Sequence, residues 1–212
     1  LLPIFNDLIE EEKSCQAVIV APTLELARQI YKVAQHIASF SPNTITVKAY
    51  YGGTDMEREM EKIKSNPPQI VVATPGKLVD LAIDENILKI HLAKYFVMDE
   101  ADMIADSFLE DVFKISEKFK EAKKMVFSAT IRESLEPLLR KFLSNTITLE
   151  VEKKDVSSLK IEHFLIPAKY RDKDSMLLEL TQIINPYLAI VFANRKDEAQ
   201  RIYELLYLCL HL

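Results

Sequence analysis

Six short apolar runs, most of them rich in β-branched residues, alternate along this chain with stretches of helical periodicity. The runs are "AVIVAPT" (17–23), "ITVKAYYGG" (45–53), "QIVVATPG" (69–76), "YFVMDEAD" (95–102), "KMVFSAT" (124–130) and "TITLEV" (146–151). A strand apolar on successive residues has no polar face to give to water. It must be covered on both sides, and the intervening helices are the cover. Leu26, Ile30, Val33 and Ile37 mark one helix face between the first two runs. Phe108, Leu109, Val112, Phe113 and Phe119 mark a second, and Leu135, Leu138, Leu139 and Phe142 a third, with Pro137 tolerable only in that helix's first turn. This alternation predicts an α/β fold: a parallel sheet sandwiched by helices.

The pattern pauses at "EVEKKDVSSLK" (150–160), a charged and polar stretch that reads as a linker, and then resumes. "IEHFLIPAK" predicts a strand. A helix from about Asp172 to Asn185 follows, with Met176, Leu177, Leu180, Ile183 and Ile184 as its buried face. "YLAIVFAN" predicts a further strand feeding a helix from Arg195. A second α/β unit has begun.

Composition narrows the partners. Hydrophobic residues at 49% support a substantial core, while the net charge of −5 gives no global basic signature. A nucleic acid would therefore have to be held by a local surface. The two cysteines, Cys15 and Cys209, have neither metal-site nor disulfide spacing, which fits a reducing, cytoplasmic setting. No apolar run approaches the ~20 residues of a membrane span. Only three glycines occur, Gly52, Gly53 and Gly76, where average usage predicts about fifteen.

In a parallel sheet, ligands bind outside the carboxyl ends of the strands. "APT", "YGG", "TPG", "DEAD" and "SAT" all fall at such ends. Each has a plain structural reading. "TPGK" opens a helix with Thr74 as N-cap and Pro75 at the first position, "YGG" is a turn, and the "SAT" hydroxyls cap a helix. "DEAD" is harder to explain that way. Acids favour a helix start, but that accounts for one or two carboxylates. Here Asp99, Glu100 and Asp102 crowd directly behind a buried strand, and the tetrapeptide arises by chance in only ~0.3% of chains this long. Metal-assisted phosphoryl transfer suits such a cluster. A strand-end aspartate holds Mg²⁺, usually through water, and a neighbouring carboxylate orients the attacking water.

Together the motifs resemble those of the DEAD-box ATP-dependent RNA helicases of superfamily 2. "PTLELA" (22–27) resembles motif Ia, "GG" (52–53) the GG motif, "TPGK" (74–77) motif Ib, "DEAD" (99–102) motif II, "SAT" (128–130) motif III and "AIVFANRK" (189–196) motif IV. The order is the family's, and the motifs span nearly the whole chain. The resemblance implies a RecA-like helicase domain over 1–150, a linker over 151–160, and the start of a second RecA-like domain over 161–212. It implies ATP and Mg²⁺ as cofactors and RNA as partner, held through its backbone with little base specificity, and no membrane. By the same carry-over Asp99 acts on Mg²⁺, Glu100 positions or activates the hydrolytic water, and Asp102 pairs with Ser128 and Thr130 to link the nucleotide site to domain closure. Pro22, Thr23, Gly52, Gly53, Thr74, Pro75, Gly76 and Lys77 line the RNA backbone path. Backbone amides, hydroxyls and a helix start bind phosphates without reading bases, which is how an acidic protein can hold RNA.

The departures matter as well. The family's phosphate-cradling loop, with its Lys and Ser/Thr, does not precede "PTLELA", and "LLPIF" resembles the helix that follows that loop. Motifs V and VI, with their arginines, are absent too. The chain is therefore expected to be part of a helicase and not to turn over ATP alone. Leu24 stands where the family usually has Arg, and Lys77 replaces another Arg, keeping charge but losing the bidentate fork. A non-catalytic RNA-binding or scaffold protein on the same fold, and an unrelated Mg²⁺-dependent phosphohydrolase, are the other readings.

Overall fold

The computed structural model describes residues 1–130, 136–143, 146–150, 162–168 and 172–210. They fall into two compact units, Leu1–Thr148 and Leu149–Leu212.

The first unit is built on five parallel strands: β1 (Ala17–Val20), β2 (Val47–Tyr50), β3 (Ile70–Ala73), β4 (Tyr95–Met98) and β5 (Lys123–Val126), in the order β2-β3-β1-β4-β5. Their register is common. Tyr50, Ala73, Val20, Met98 and Val126 form one row across the sheet. Successive side chains of a strand point to opposite faces, and here both faces are buried. Val18, Val20, Val71, Ala73, Phe96 and Met98 face one core layer, and Ala17, Ile19, Ile70, Val72, Tyr95 and Val97 face the other.

Helices α1 (Leu2–Asn6) and α2 (Leu24–Ala38) cover the second layer. The first is covered by α3 (Met56–Ser65), α4 (Pro75–Val79) with a π-helical turn at Asp80–Asp84, α5 (Ala101–Ser107), α6 (Leu109–Ser116) and α7 (Glu136–Phe142). Local chemistry starts these helices: the Thr23 hydroxyl accepts from the Leu26 amide at 3.3 Å, and the Asp55 carboxylate from the Arg58 amide at 3.2 Å. On the first layer, Phe96 stacks on Phe119 with centroids 4.1 Å apart and meets Phe142 edge-on at 5.0 Å.

Two expectations need correction here. The buried line of α2 runs through Ala27 and Ala34, with Leu26, Ile30 and Tyr31 beside it, whereas Val33 is 51% exposed. Small residues at the centre of the contact let the helix approach the sheet closely, and the larger apolar residues pack at its flanks. Residues 146–150 of the expected sixth strand carry no regular structure.

The second unit contains α8 (Lys173–Ile184), capped by the Asp172 carboxylate on the Ser175 amide at 3.0 Å, and α9 (Lys196–Leu210). Arg201 of α9 pairs with Asp174 of α8. The strands expected over 161–169 and 187–194 are not formed by the described residues 162–168 and 187–194. A strand is completed by its neighbours' ladder bonds, and neither segment has a ladder partner among the described residues. The expected buried face of α8 is open for the same reason: Ile183 is 73% exposed, and Met176, Leu177 and Leu180 are half-buried. The linker assigned to 151–160 lies outside the described residues.

Candidate functional site

Because the strands share one register, their carboxyl ends form an even edge, and each motif begins one or two residues beyond the common row. The sheet order sorts them. Gly52–Gly53 after β2, Thr74–Lys77 after β3 and Pro22–Thr23 after β1 occupy three adjacent strand ends, and Asp99–Asp102 and Ser128–Thr130 occupy the next two. The chain meets the two groups in the same succession, and the sheet changes only the order within the first, placing the β1 end next to the β4 end. At ~4.8 Å per strand the whole row spans about 19 Å.

Backbone bonds stitch this edge together. The Ala21 amide donates to Ala73 O at 3.0 Å, the Thr74 amide to Tyr50 O at 3.1 Å and the Asp99 amide to Val20 O at 3.0 Å. Ala101 donates to Phe127 O at 3.0 Å, and Phe127 to Met98 O at 2.8 Å. These bonds reverse the chain sharply after β4. Glu100 sits in the left-handed region with φ 50° and ψ 51°, which is costly for a residue with a Cβ. The turn places the Asp99 and Glu100 side chains, both half-buried, at the strand end ahead of α5.

Asp102 lies one residue into α5 and is buried. Its carboxylate accepts from the Thr130 hydroxyl at 2.7 Å, and its amide donates to Ser128 Oγ at 3.2 Å. The Ser128 hydroxyl in turn donates to Thr130 O at 2.8 Å. The Thr130 hydrogen bond, helped by Ser128 and the Met103 amide, holds the Asp102 carboxyl below its ordinary range against the opposing effect of burial. The fourth residue of "DEAD" is thus tied to both hydroxyl residues of "SAT".

Asp99 receives the Glu100 amide at 3.1 Å, and among the described residues no cation pairs with either carboxylate. Asp99 also lines a cavity of about 330 Å³ whose other walls are apolar, among them Ile4, Ile19, Ile30, Met125 and Phe127. Among the described residues no lysine or arginine lines it. A second cavity, about 350 Å³, opens at the amino end of β2 beside Ser39 and Asn43 and touches none of the motifs.

On the other three strand ends the sequence-derived residues divide. Gly52 and Gly53 are exposed, Gly53 has φ +86°, and nothing lies within 4 Å of where a Cβ would stand on either. Thr23 and Thr74 are half-buried, and Thr74 occupies the expected N-cap position of α4 without a capping bond from its hydroxyl. Pro22 and Pro75 are buried and shape the turns. Lys77 departs most from expectation. It is 7% exposed, and its ammonium is 2.8 Å from Glu59 Oε2 on α3. Glu59 carried no signal in the sequence, since it is one of four acids over 55–61 and only the packing of α3 on α4 singles it out.

The DEAD/DEAH box helicase family model matches residues 1–138. The chain belongs to the DEAD/DEAH box helicase family. Among curated relatives it is 45% identical over 209 residues to the DEAD-box ATP-dependent RNA helicase CshB of Bacillus subtilis, covering 97% of this chain and 47% of that protein. It is 41% identical to CshB of Staphylococcus aureus, covering 94% of this chain and 44% of that protein. The chain thus spans about half the length of the curated relatives it matches. Its first unit is RecA-like, as in the family's solved structures. S. cerevisiae Dbp5 bound to RNA and ADP BeF3 aligns over 96% of this chain and 51% of that one, with TM-score 0.74 and 25% identity. A DEAD box protein from Methanococcus jannaschii aligns over 68% of this chain and 38% of that one, with TM-score 0.60 and 31% identity.

Proposed function

We propose that this DEAD-box protein, at full length, is an ATP-dependent RNA helicase that couples ATP binding and hydrolysis to RNA clamping and local duplex unwinding. The observation that carries the reading is the sorting of the strand ends. The exposed Gly52–Gly53 loop and the half-buried hydroxyls of Thr23 and Thr74, groups suited to phosphates, occupy three adjacent ends, and a carboxylate cluster tied to "SAT" occupies the next two. In this reading 1–150 is the first RecA-like domain, 151–160 the linker and 161–212 the beginning of the second, and the protein works in the cytoplasm.

Mg²⁺ fits the site because Asp99 and Glu100 are adjacent carboxylates that no described cation neutralises. When bound, Mg²⁺ supplies charge compensation for the transferring phosphoryl group. Asp99 is the residue that would hold it. Glu100, fixed by the left-handed turn, orients the attacking water and accepts its proton. Asp102 keeps its charge by its bonds to Thr130 and Ser128 and connects the nucleotide side of the edge to the β5 loop. Gly52, Gly53, Thr23, Thr74 and Gly76 meet the RNA backbone, which favours no base.

Glu100→Gln in the full-length protein tests this reading. It is expected to bind ATP and RNA while RNA-stimulated hydrolysis falls by about 10²–10⁴-fold, the usual loss when a base is removed. Near-normal turnover in that variant would reduce Glu100 to a solvated helix start.

A further inference from the structure

The Gly52–Gly53 loop is fastened at both ends to the same neighbour. Before it, Tyr50 O accepts the Thr74 amide at 3.1 Å. Beyond it, Glu59 on α3 meets Lys77 on α4 at 2.8 Å, with the two side chains 14% and 7% exposed. Between these ties both glycines are exposed, and nothing lies within 4 Å of where a Cβ would stand on either. The second tie is selective in its chemistry. Glu59 Oε2 is buried and has no hydrogen-bond partner among the described residues, so the Lys77 charge is its compensation. The Lys77 ammonium otherwise touches Met56 Sδ at 3.3 Å, a weak acceptor. The Glu59 charge is felt nearby as well: burial chiefly, and Glu59 next, push the Tyr50 hydroxyl upward. A buried pair of this kind is costly to break from one side, because the survivor is left charged and unpaired.

We propose that Glu59 and Lys77 are positioning residues for RNA: the pair latches the Gly52–Gly53 loop against Thr74–Gly76 and sets the spacing of two backbone-binding segments, and Lys77 does not itself contact phosphate. This rests on the RNA reading above, and it gives Lys77 a different role from the direct contact its sequence position suggests.

The two roles differ in sign at Glu59. If Lys77 reaches RNA and Glu59 merely competes for it, E59Q frees a cation and tightens binding. If the pair is a latch, E59Q weakens binding even though it removes a negative charge. The test is single-stranded RNA affinity against salt for the full-length protein, well below its unfolding temperature, with amide hydrogen exchange of Gly52 and Gly53 measured without RNA. For E59Q and K77M the latch predicts about five- to tenfold weaker binding, an unchanged salt slope and faster exchange at both glycines. K77R, which keeps the pair, restores binding, and the charge-reversed E59K/K77E recovers part of it. Should the single variants fail to fold while E59K/K77E folds and binds, the latch is again supported. Tighter binding by E59Q, or a K77M salt slope reduced by about 0.7, the value of one single-strand phosphate contact, overturns it. So does wild-type affinity in both single variants. A wild type that binds no RNA overturns the functional reading, and the glycine exchange rates then still decide whether the pair holds the loop.

Discussion

At the scale of single residues the site works through Asp102 and Thr130. Asp102 is held ionised by an exposed hydroxyl 2.7 Å away, so its carboxyl titrates lower in the folded chain than in the unfolded one. The unfolded state therefore binds more protons in the acid range. The contribution to stability is complete above the ordinary carboxylate range near pH 4 and is lost as pH falls through the depressed folded value. Thr130→Val is expected to cost about 1 kcal/mol at pH 7, since Thr130 is solvent-accessible and the bond is partly screened. Thermal unfolding of wild type and variant from pH 7 to pH 2 measures it. The gap should close as acid protonates Asp102, and a gap independent of pH would assign the loss to packing instead. Cys15 behaves differently. Burial pushes its thiol up to about 12, so it is an inert core side chain, and alkylation should modify the exposed Cys209 first.

At the scale of an element, α2 shows how packing chooses among apolar residues. Ala34 is fully buried against the sheet while Val33 is exposed. Ala34→Leu is expected to destabilise by about 1–3 kcal/mol through overpacking, whereas Val33→Lys should stay within about 0.5 kcal/mol. Denaturant unfolding separates them, and equal effects would mean that α2 is rotated from the described orientation. The aromatic sandwich is the same lesson in the opposite layer. Phe119→Ala strips a ring stacked on Phe96 and is expected to cost about 3–5 kcal/mol.

At the scale of the whole molecule, the cavity beside Asp99 has apolar walls and, among the described residues, no cation. Phosphate charge at that place has nothing among its described walls to meet it. Residues 1–212 alone are therefore expected to show negligible RNA-stimulated ATP turnover in a steady-state assay, and turnover comparable to an intact helicase would mean that Asp99 and Glu100 work by another geometry. Among the described residues no helix is long and apolar enough to cross a membrane.

By itself the sequence determined the five strands of the first unit, the class of fold and the motifs at the strand ends. These are local signals: apolar continuity marks a strand buried on both faces, and a motif directly behind such a strand must lie at its carboxyl end. Tertiary structure decided what depends on neighbours. It chose Ala27 and Ala34 over Val33, because a helix face is defined by what the sheet lets approach. It left 162–168 and 187–194 outside any ladder, since strand propensity cannot supply a partner. It brought Gly52, Thr74 and Thr23 side by side through a strand order that the chain does not follow. And it buried Lys77 against Glu59, since a cation's role is set by the nearest carboxylate in space, eighteen positions earlier in the chain.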